Sequence, residues 1–155
     1  MADVSSALER LCEQFRISEF NALYKAITHF VLKKTDLFVN LPTGFGKSLI
    51  YQALPLLSDV LCNTSGHIVV VISPLVNLMK DQVEKLNNLG VSATTLSDMD
   101  DEKATGVEKG AFSVVYGSPE AWLKIERWRK VLSSDVYSNK LCAMAVDEAH
   151  VIKQW

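Results

Sequence analysis

The feature that most restricts this fold is a series of apolar runs in which polar residues do not alternate. His67–Ile72 reads HIVVVI, Phe112–Tyr116 reads FSVVY and Leu141–Val146 reads LCAMAV. Leu37–Leu41 and Val91–Thr95 are two further candidate strands. A strand with one wet face alternates with period two, whereas a near-continuous apolar run suits a strand covered on both faces. Segments of helical spacing fall between the runs, near Glu19–Leu32, Gly46–Val60, Leu75–Leu89 and Glu120–Leu132. In the third, Leu75, Leu78, Met79, Val83, Leu86 and Leu89 share one face, and Gly90 follows where a C-terminal cap belongs. Pro55 lies inside the second and is expected to kink or end it. Strands alternating with helices predict an α/β chain with a mostly parallel sheet and helices on both faces.

Composition bounds what such a chain does. Its 155 residues, 48% of them hydrophobic, are enough for the core of one domain. A net charge of −2 gives no global basic field, so any contact with nucleic acid must be local. Cys12, Cys62 and Cys142 are odd in number and widely spaced, which suits small buried apolar residues in a reducing compartment. The N-terminus, MADVSSALERLCEQF, has no basic segment leading into an apolar core, and no apolar run approaches the ~20 residues of a membrane span. The reading is a soluble intracellular protein. The acidic stretch Ser97–Gly106, SDMDDEKATG, is expected to be a solvated connection rather than a metal site.

After the first predicted strand comes LPTGFGKSLIYQ (Leu41–Gln52). Gly46-Lys47-Ser48 match the end of the phosphate-binding loop pattern and Gly44 adds a second glycine, although Leu41 stands where the strict pattern has its first. Glycines there let backbone N–H groups converge on phosphate oxygens, and the helix that follows adds its unpaired N–H groups. Lys47 would meet the β/γ-phosphates as a point charge, and the Ser48 hydroxyl would bind Mg²⁺. Asp147-Glu148 at the end of Leu141–Val146 supply the complementary half. Asp147 would hold Mg²⁺, and Glu148 would orient or deprotonate the water that attacks the γ-phosphate. Alone, such an acid pair is as readily a surface feature; paired with the loop it reads as a hydrolytic site.

In order along the chain, LPTGFGKSLIYQ, VISPLVNLMKDQV, VYGSPE, VDEAH and IKQW resemble the RecQ family of ATP-dependent DNA helicases. The resemblance covers the N-terminal part of that family's first RecA-like domain, a P-loop three-layer αβα fold. It implies a helical lead-in over 1–18 and a helicase ATP-binding domain over 19–155. It also implies ATP and Mg²⁺ as cofactors and single-stranded or forked DNA as the partner, with 3′-to-5′ strand separation in the nucleus, or in the cytoplasm of a prokaryote. By resemblance Thr43, Gly44 and Gly46 complete the loop around Lys47 and Ser48, with Phe45 among the cofactor-binding residues, and His150 links the ATP site, with its Asp147 and Glu148, to the DNA-contacting segments. Ser73, Pro74, Leu75, Lys80, Asp81 and Gln82 would lie along the single strand, with Ser118, Pro119 and Glu120 on the same side. Trp155 would begin the aromatic loop that couples DNA to hydrolysis. Taken without the resemblance, Ser73-Pro74 is an ordinary strand-to-helix turn.

Departures from the family pattern are specific. Tyr24 stands where the family reads adenine with a glutamine; it offers a stacking face but no amide pair. Phe45 places an aromatic at the mouth of the loop. Trp122, Ile125 and Trp128 recur every three residues among Lys124, Arg127, Arg129 and Lys130. That pattern serves single-strand clamping, but a helix burying two tryptophans beneath a solvated basic face explains it more simply. The resemblance further implies a strand inserted between the loop strand and the Asp-Glu strand. A chain stopping at Trp155 is therefore expected to have a sheet incomplete at its C-terminus, to be unstable alone and not to unwind DNA. Two other readings stand beside the helicase: a non-catalytic nucleotide-binding module, and an RNA helicase of the same superfamily.

Overall fold

The computed structural model describes residues 3–18, 23–34, 36–39, 47–97 and 99–147, and the chain divides into two compact units, Met1–Ser65 and Gly66–Trp155. In the first unit, α1 (Val4–Phe15) starts at Asp3, whose carboxylate accepts the Ser6 N–H at 2.7 Å. Its buried face, Val4, Ala7, Leu8, Leu11 and Phe15, follows helical periodicity. Next come α2 (Leu23–Lys33), α3 (Lys47–Gln52) and α4 (Leu54–Cys62). α1 packs on α4, and α2 on α3. The helix predicted across Gly46–Val60 is divided between α3 and α4, with Pro55 in the first turn of α4 where its missing N–H leaves no bond unmade.

The second unit holds β1 (Ile68–Ile72), α5 (Val76–Asn88), β2 (Ala93–Thr95), α6 (Asp101–Lys109) and β3 (Val114–Gly117), followed by α7 (Pro119–Lys124), α8 (Glu126–Leu132), α9 (Asp135–Lys140) and β4 (Leu141–Val146). Its four strands are parallel in the order β2-β3-β1-β4. All five residues of β1 and all four of β3 are buried, as their unbroken apolar runs require. On one face Ile68, Val70, Ile72 and Val115 pack with Ala104 and Val107 of α6, Trp122 of α7, Trp128 and Val131 of α8, and Tyr137 of α9. α5 packs against β2 and β3 and buries Met79 and Leu86. The unit is therefore a three-layer αβα arrangement with a parallel sheet, the RecA-like architecture.

Several expectations are corrected. Leu37, Phe38 and Val39 carry no strand, and Phe38 is 81% exposed. An extended segment becomes a strand only when a neighbour completes its ladder, and residues 40 and 41 lie outside the described residues. Ser97–Gly106 is not simply a solvated connection. Asp100 caps a helix there by accepting the Lys103 N–H at 2.8 Å, and Gly110 ends it with φ +77°. Glu120–Leu132 is two helices, because Ile125 is extended (φ −83°, ψ 116°). β4 is only half-covered: Met144 and Val146 are 49% and 40% exposed, and β1 is its one ladder partner among the described residues. Nor are the cysteines core residues. Cys62 is exposed, while Cys12 and Cys142 are half-buried; the Cys142 thiol donates to the Ile68 carbonyl at 3.3 Å.

Candidate nucleotide and nucleic-acid site

Parallel strands deliver their C-terminal ends to one edge of a sheet, where ligands of open α/β folds gather. Here Ile72 is level with Gly117 on one side and with Val146 on the other. The next residues, Ser73, Ser118 and Asp147, therefore leave three adjacent strands at one edge. Two hydrogen bonds fix that edge: the Ser73 N–H donates to the Gly117 carbonyl at 3.0 Å, and the Asp147 N–H to the Ile72 carbonyl at 2.9 Å. The fold thus brings together three of the sequence-predicted segments, Ser73-Pro74, Ser118-Pro119 and Asp147.

Ser73 is buried, and its hydroxyl lies 3.5 Å from the Leu75 N–H as acceptor. Ser118 is the N-cap of α7, its hydroxyl accepting the Ala121 N–H at 3.1 Å, and Pro119 occupies the first turn, where proline is pre-shaped for a helix. Beyond Ser73-Pro74, Leu75, Val76 and Leu78 are exposed at the head of α5. Lys80 is exposed and Gln82 half-buried on α5; two residues apart, they do not share a helix face. In the first unit Lys47 is exposed and Ser48 half-buried, both in the first turn of α3. Tyr24 lies in α2. Thr43, Gly44, Phe45, Gly46, Glu148, His150 and Trp155 lie outside the described residues.

In the basic-aromatic segment the simpler reading holds for the tryptophans, though two helices carry them rather than one. Trp122 and Trp128 are buried. Arg127 pairs with Glu108 of α6 and sits over Trp128, its Cζ 5.2 Å from the ring centroid, while Lys130 pairs with Glu126 at 3.3 Å. The Arg127 hydrogen bond holds the Glu108 carboxyl below its ordinary value and raises the Arg127 guanidinium. Sequence reasoning missed Gly117. A Cβ there would overlap the Trp122 indole nitrogen and come within 2.9 Å of a Leu96 methyl. The signal available was a glycine immediately after an apolar run and before Ser-Pro.

A parallel α/β sheet with Asp147 and two Ser-Pro segments at its C-terminal edge, and a helix that opens with Lys47-Ser48 earlier in the chain, defines a class: RecA-like domains. The profile of the DEAD/DEAH box helicases matches residues 23–155, and the chain belongs to that family. It is 33% identical over 156 residues to a putative ATP-dependent DNA helicase Q1 of Caenorhabditis elegans, covering 96% of this chain and 24% of that protein. It is 36% identical over 120 residues to the ATP-dependent DNA helicase RecQ of Bacillus subtilis, covering 74% of this chain and 18% of that protein. The chain thus spans a quarter or less of these relatives. Their names bear out the RecQ resemblance carried by the five motifs. Among solved structures, the DUF1998 helicase MrfA bound to DNA and AMPPNP aligns with a TM-score of 0.70 at 16% identity, covering 97% of this chain and 22% of that one. That likeness shows the fold.

Proposed function

We propose that this chain is the ATP-binding part of a longer RecQ-like DNA helicase that couples ATP hydrolysis to 3′-to-5′ strand separation inside the cell, in the nucleus where there is one. The observation that carries the reading is the shared edge at which Ser73-Pro74, Ser118-Pro119 and Asp147 leave three adjacent strands. The names of the relatives, DNA helicases that use ATP, support DNA and ATP as the ligands.

The chemistry of three described residues supports a magnesium nucleotide as the ligand. Lys47 is an exposed ammonium in the first turn of a helix, Ser48 places a hydroxyl beside it, and the backbone of Asp147 is pinned at a strand end. In this reading Lys47 would neutralise charge on the β/γ-phosphates, and Ser48 and Asp147 are the oxygen donors that would hold Mg²⁺. Glu148 takes the proton of the attacking water, and His150 carries the state of that site towards the DNA side. Thr43, Gly44, Phe45 and Gly46 would bind the phosphates, and Tyr24 would stack on the base without reading its edge. When bound, the magnesium nucleotide supplies the phosphoryl group whose release drives the motor. Ser73, Pro74, Lys80, Gln82, Ser118, Pro119 and Trp155 meet the single strand.

The test is strand separation by the full-length protein on duplexes carrying a single-stranded tail at one 3′ or one 5′ end. Unwinding of the 3′-tailed duplex alone, dependent on ATP and lost with EDTA, is expected. Preference for the 5′ tail, or for RNA over DNA, overturns the assignment.

A further inference from the structure

Resting on the proposed nucleic-acid role of the two Ser-Pro turns, we infer that Trp122 is a positioning residue that locks them at one spacing, so that a single strand crossing the sheet edge meets both together. Trp122 is 0% exposed, and its indole N–H donates to the Val71 carbonyl at 3.3 Å, across 51 residues of sequence. Val71 lies two residues before Ser73, and Trp122 four residues after Ser118.

Three more bonds hold the two turns, and two of them close a circuit with the indole. The Ser73 N–H donates to the Gly117 carbonyl at 3.0 Å. The Ser118 hydroxyl accepts the Ala121 N–H at 3.1 Å, and the Ser118 carbonyl accepts the Trp122 N–H at 3.1 Å. The ring Val71–Ser73–Gly117–Ser118–Trp122 and back to Val71 contains both turns. Gly117 makes the closure possible, because any Cβ at that position would occupy the space of the indole nitrogen. Packing alone would accept any large apolar side chain at this position. The N–H adds direction, since a hydrogen bond tolerates little misplacement of its partners. The strand-end carbonyl of Val71 is thereby tied to the helix that begins at Ser118.

Trp122→Phe keeps an aromatic ring in the core but removes the indole N–H together with three ring atoms, so Trp128→Phe, the same change at the second buried tryptophan of this core face, is the packing control and should leave half-saturation unchanged. The measurement is ATP turnover by the full-length protein, titrated with oligothymidylate. In Trp122→Phe the oligonucleotide concentration for half-maximal stimulation rises about fivefold, the usual worth of one neutral hydrogen bond, while KM for ATP stays within about twofold. Equal half-saturation in the two proteins overturns the positioning role and leaves the helicase reading standing. A wild type that the oligonucleotide does not stimulate overturns both. If Trp122→Phe does not unfold cooperatively, hydrogen exchange of the wild type decides instead. Amides of 72–76 and 118–124 slowing together when oligothymidylate is added supports the lock, and slowing of one stretch alone overturns it.

Discussion

At Gly117 the reason for the residue is steric: the backbone angle is ordinary, but a methyl group would displace the indole of Trp122 and the Leu96 side chain. Gly117→Ala is expected to destabilise the fold by about 1–3 kcal/mol, the range for an overpacked core, read as a lower denaturant midpoint at unchanged slope. Tyr137 gives a second residue-scale prediction. Its buried hydroxyl donates to the Val107 carbonyl at 2.8 Å, and burial raises the phenol above its ordinary value of 10.0. A raised acid favours its neutral form in the fold, so its contribution is complete below about pH 10 and is lost as pH rises beyond that. The stability of the wild type should fall above about pH 10 more steeply than that of Tyr137→Phe. At pH 7 Tyr137→Phe should lose only about 0.5–1.5 kcal/mol, because the Val107 carbonyl keeps the Gly110 N–H at 3.1 Å. Thermal unfolding across pH measures both. The helix start at Lys47 and Ser48 and the strand end before Asp147 were legible in the sequence, because a glycine-rich motif and an apolar run announce them. The bond between Trp122 and Val71 was not, since nothing local reports a contact between residues so far apart in the chain.

Elements were legible in proportion to how far packing, rather than capping, determines them. β1, β3 and α5 follow from their apolar patterns, and their bounds differ from expectation by one or two residues. α6 was hidden because its acidic composition resembles a loop. What makes it a helix is the Asp100 side chain at one end and a left-handed glycine at the other. α9 (Asp135–Lys140) is likewise set by a cap, the Ser134 hydroxyl facing the Tyr137 N–H at 3.4 Å. The break at Ile125 ends the three-residue spacing of Trp122, Ile125 and Trp128: the tryptophans are buried and Ile125 is 48% exposed. Substitutions should divide the same way. Leu86→Ala empties a site 1% exposed under α5 and is expected to cost about 2–5 kcal/mol. Asp100→Ala removes only a cap and is expected to cost about 0.5–2 kcal/mol. Equal losses from the two in equilibrium denaturation would contradict this division.

For the whole molecule, family and fold agree: a DEAD/DEAH box profile over 23–155 and a parallel RecA-like sheet in Gly66–Trp155. The parallel arrangement was legible because only strands covered on both faces need runs such as IVVVI. The coverage of β4 was not, because exposure depends on neighbours that an apolar pattern does not name. Among the described residues no helix is long and apolar enough to cross a membrane. The central proposal is that Lys47 grips the triphosphate of ATP, and that DNA along the Ser-Pro edge drives its cleavage. Phosphate release from ATP by the full-length protein, with and without single-stranded DNA, tests this most directly when wild type and Lys47→Ala are compared. Wild-type turnover is expected to rise at least about tenfold with DNA, and Lys47→Ala turnover to be lower by on the order of 10² or more, as when a key charge-stabilising donor is removed. Turnover in Lys47→Ala equal to that of the wild type, or wild-type turnover indifferent to DNA, would contradict it.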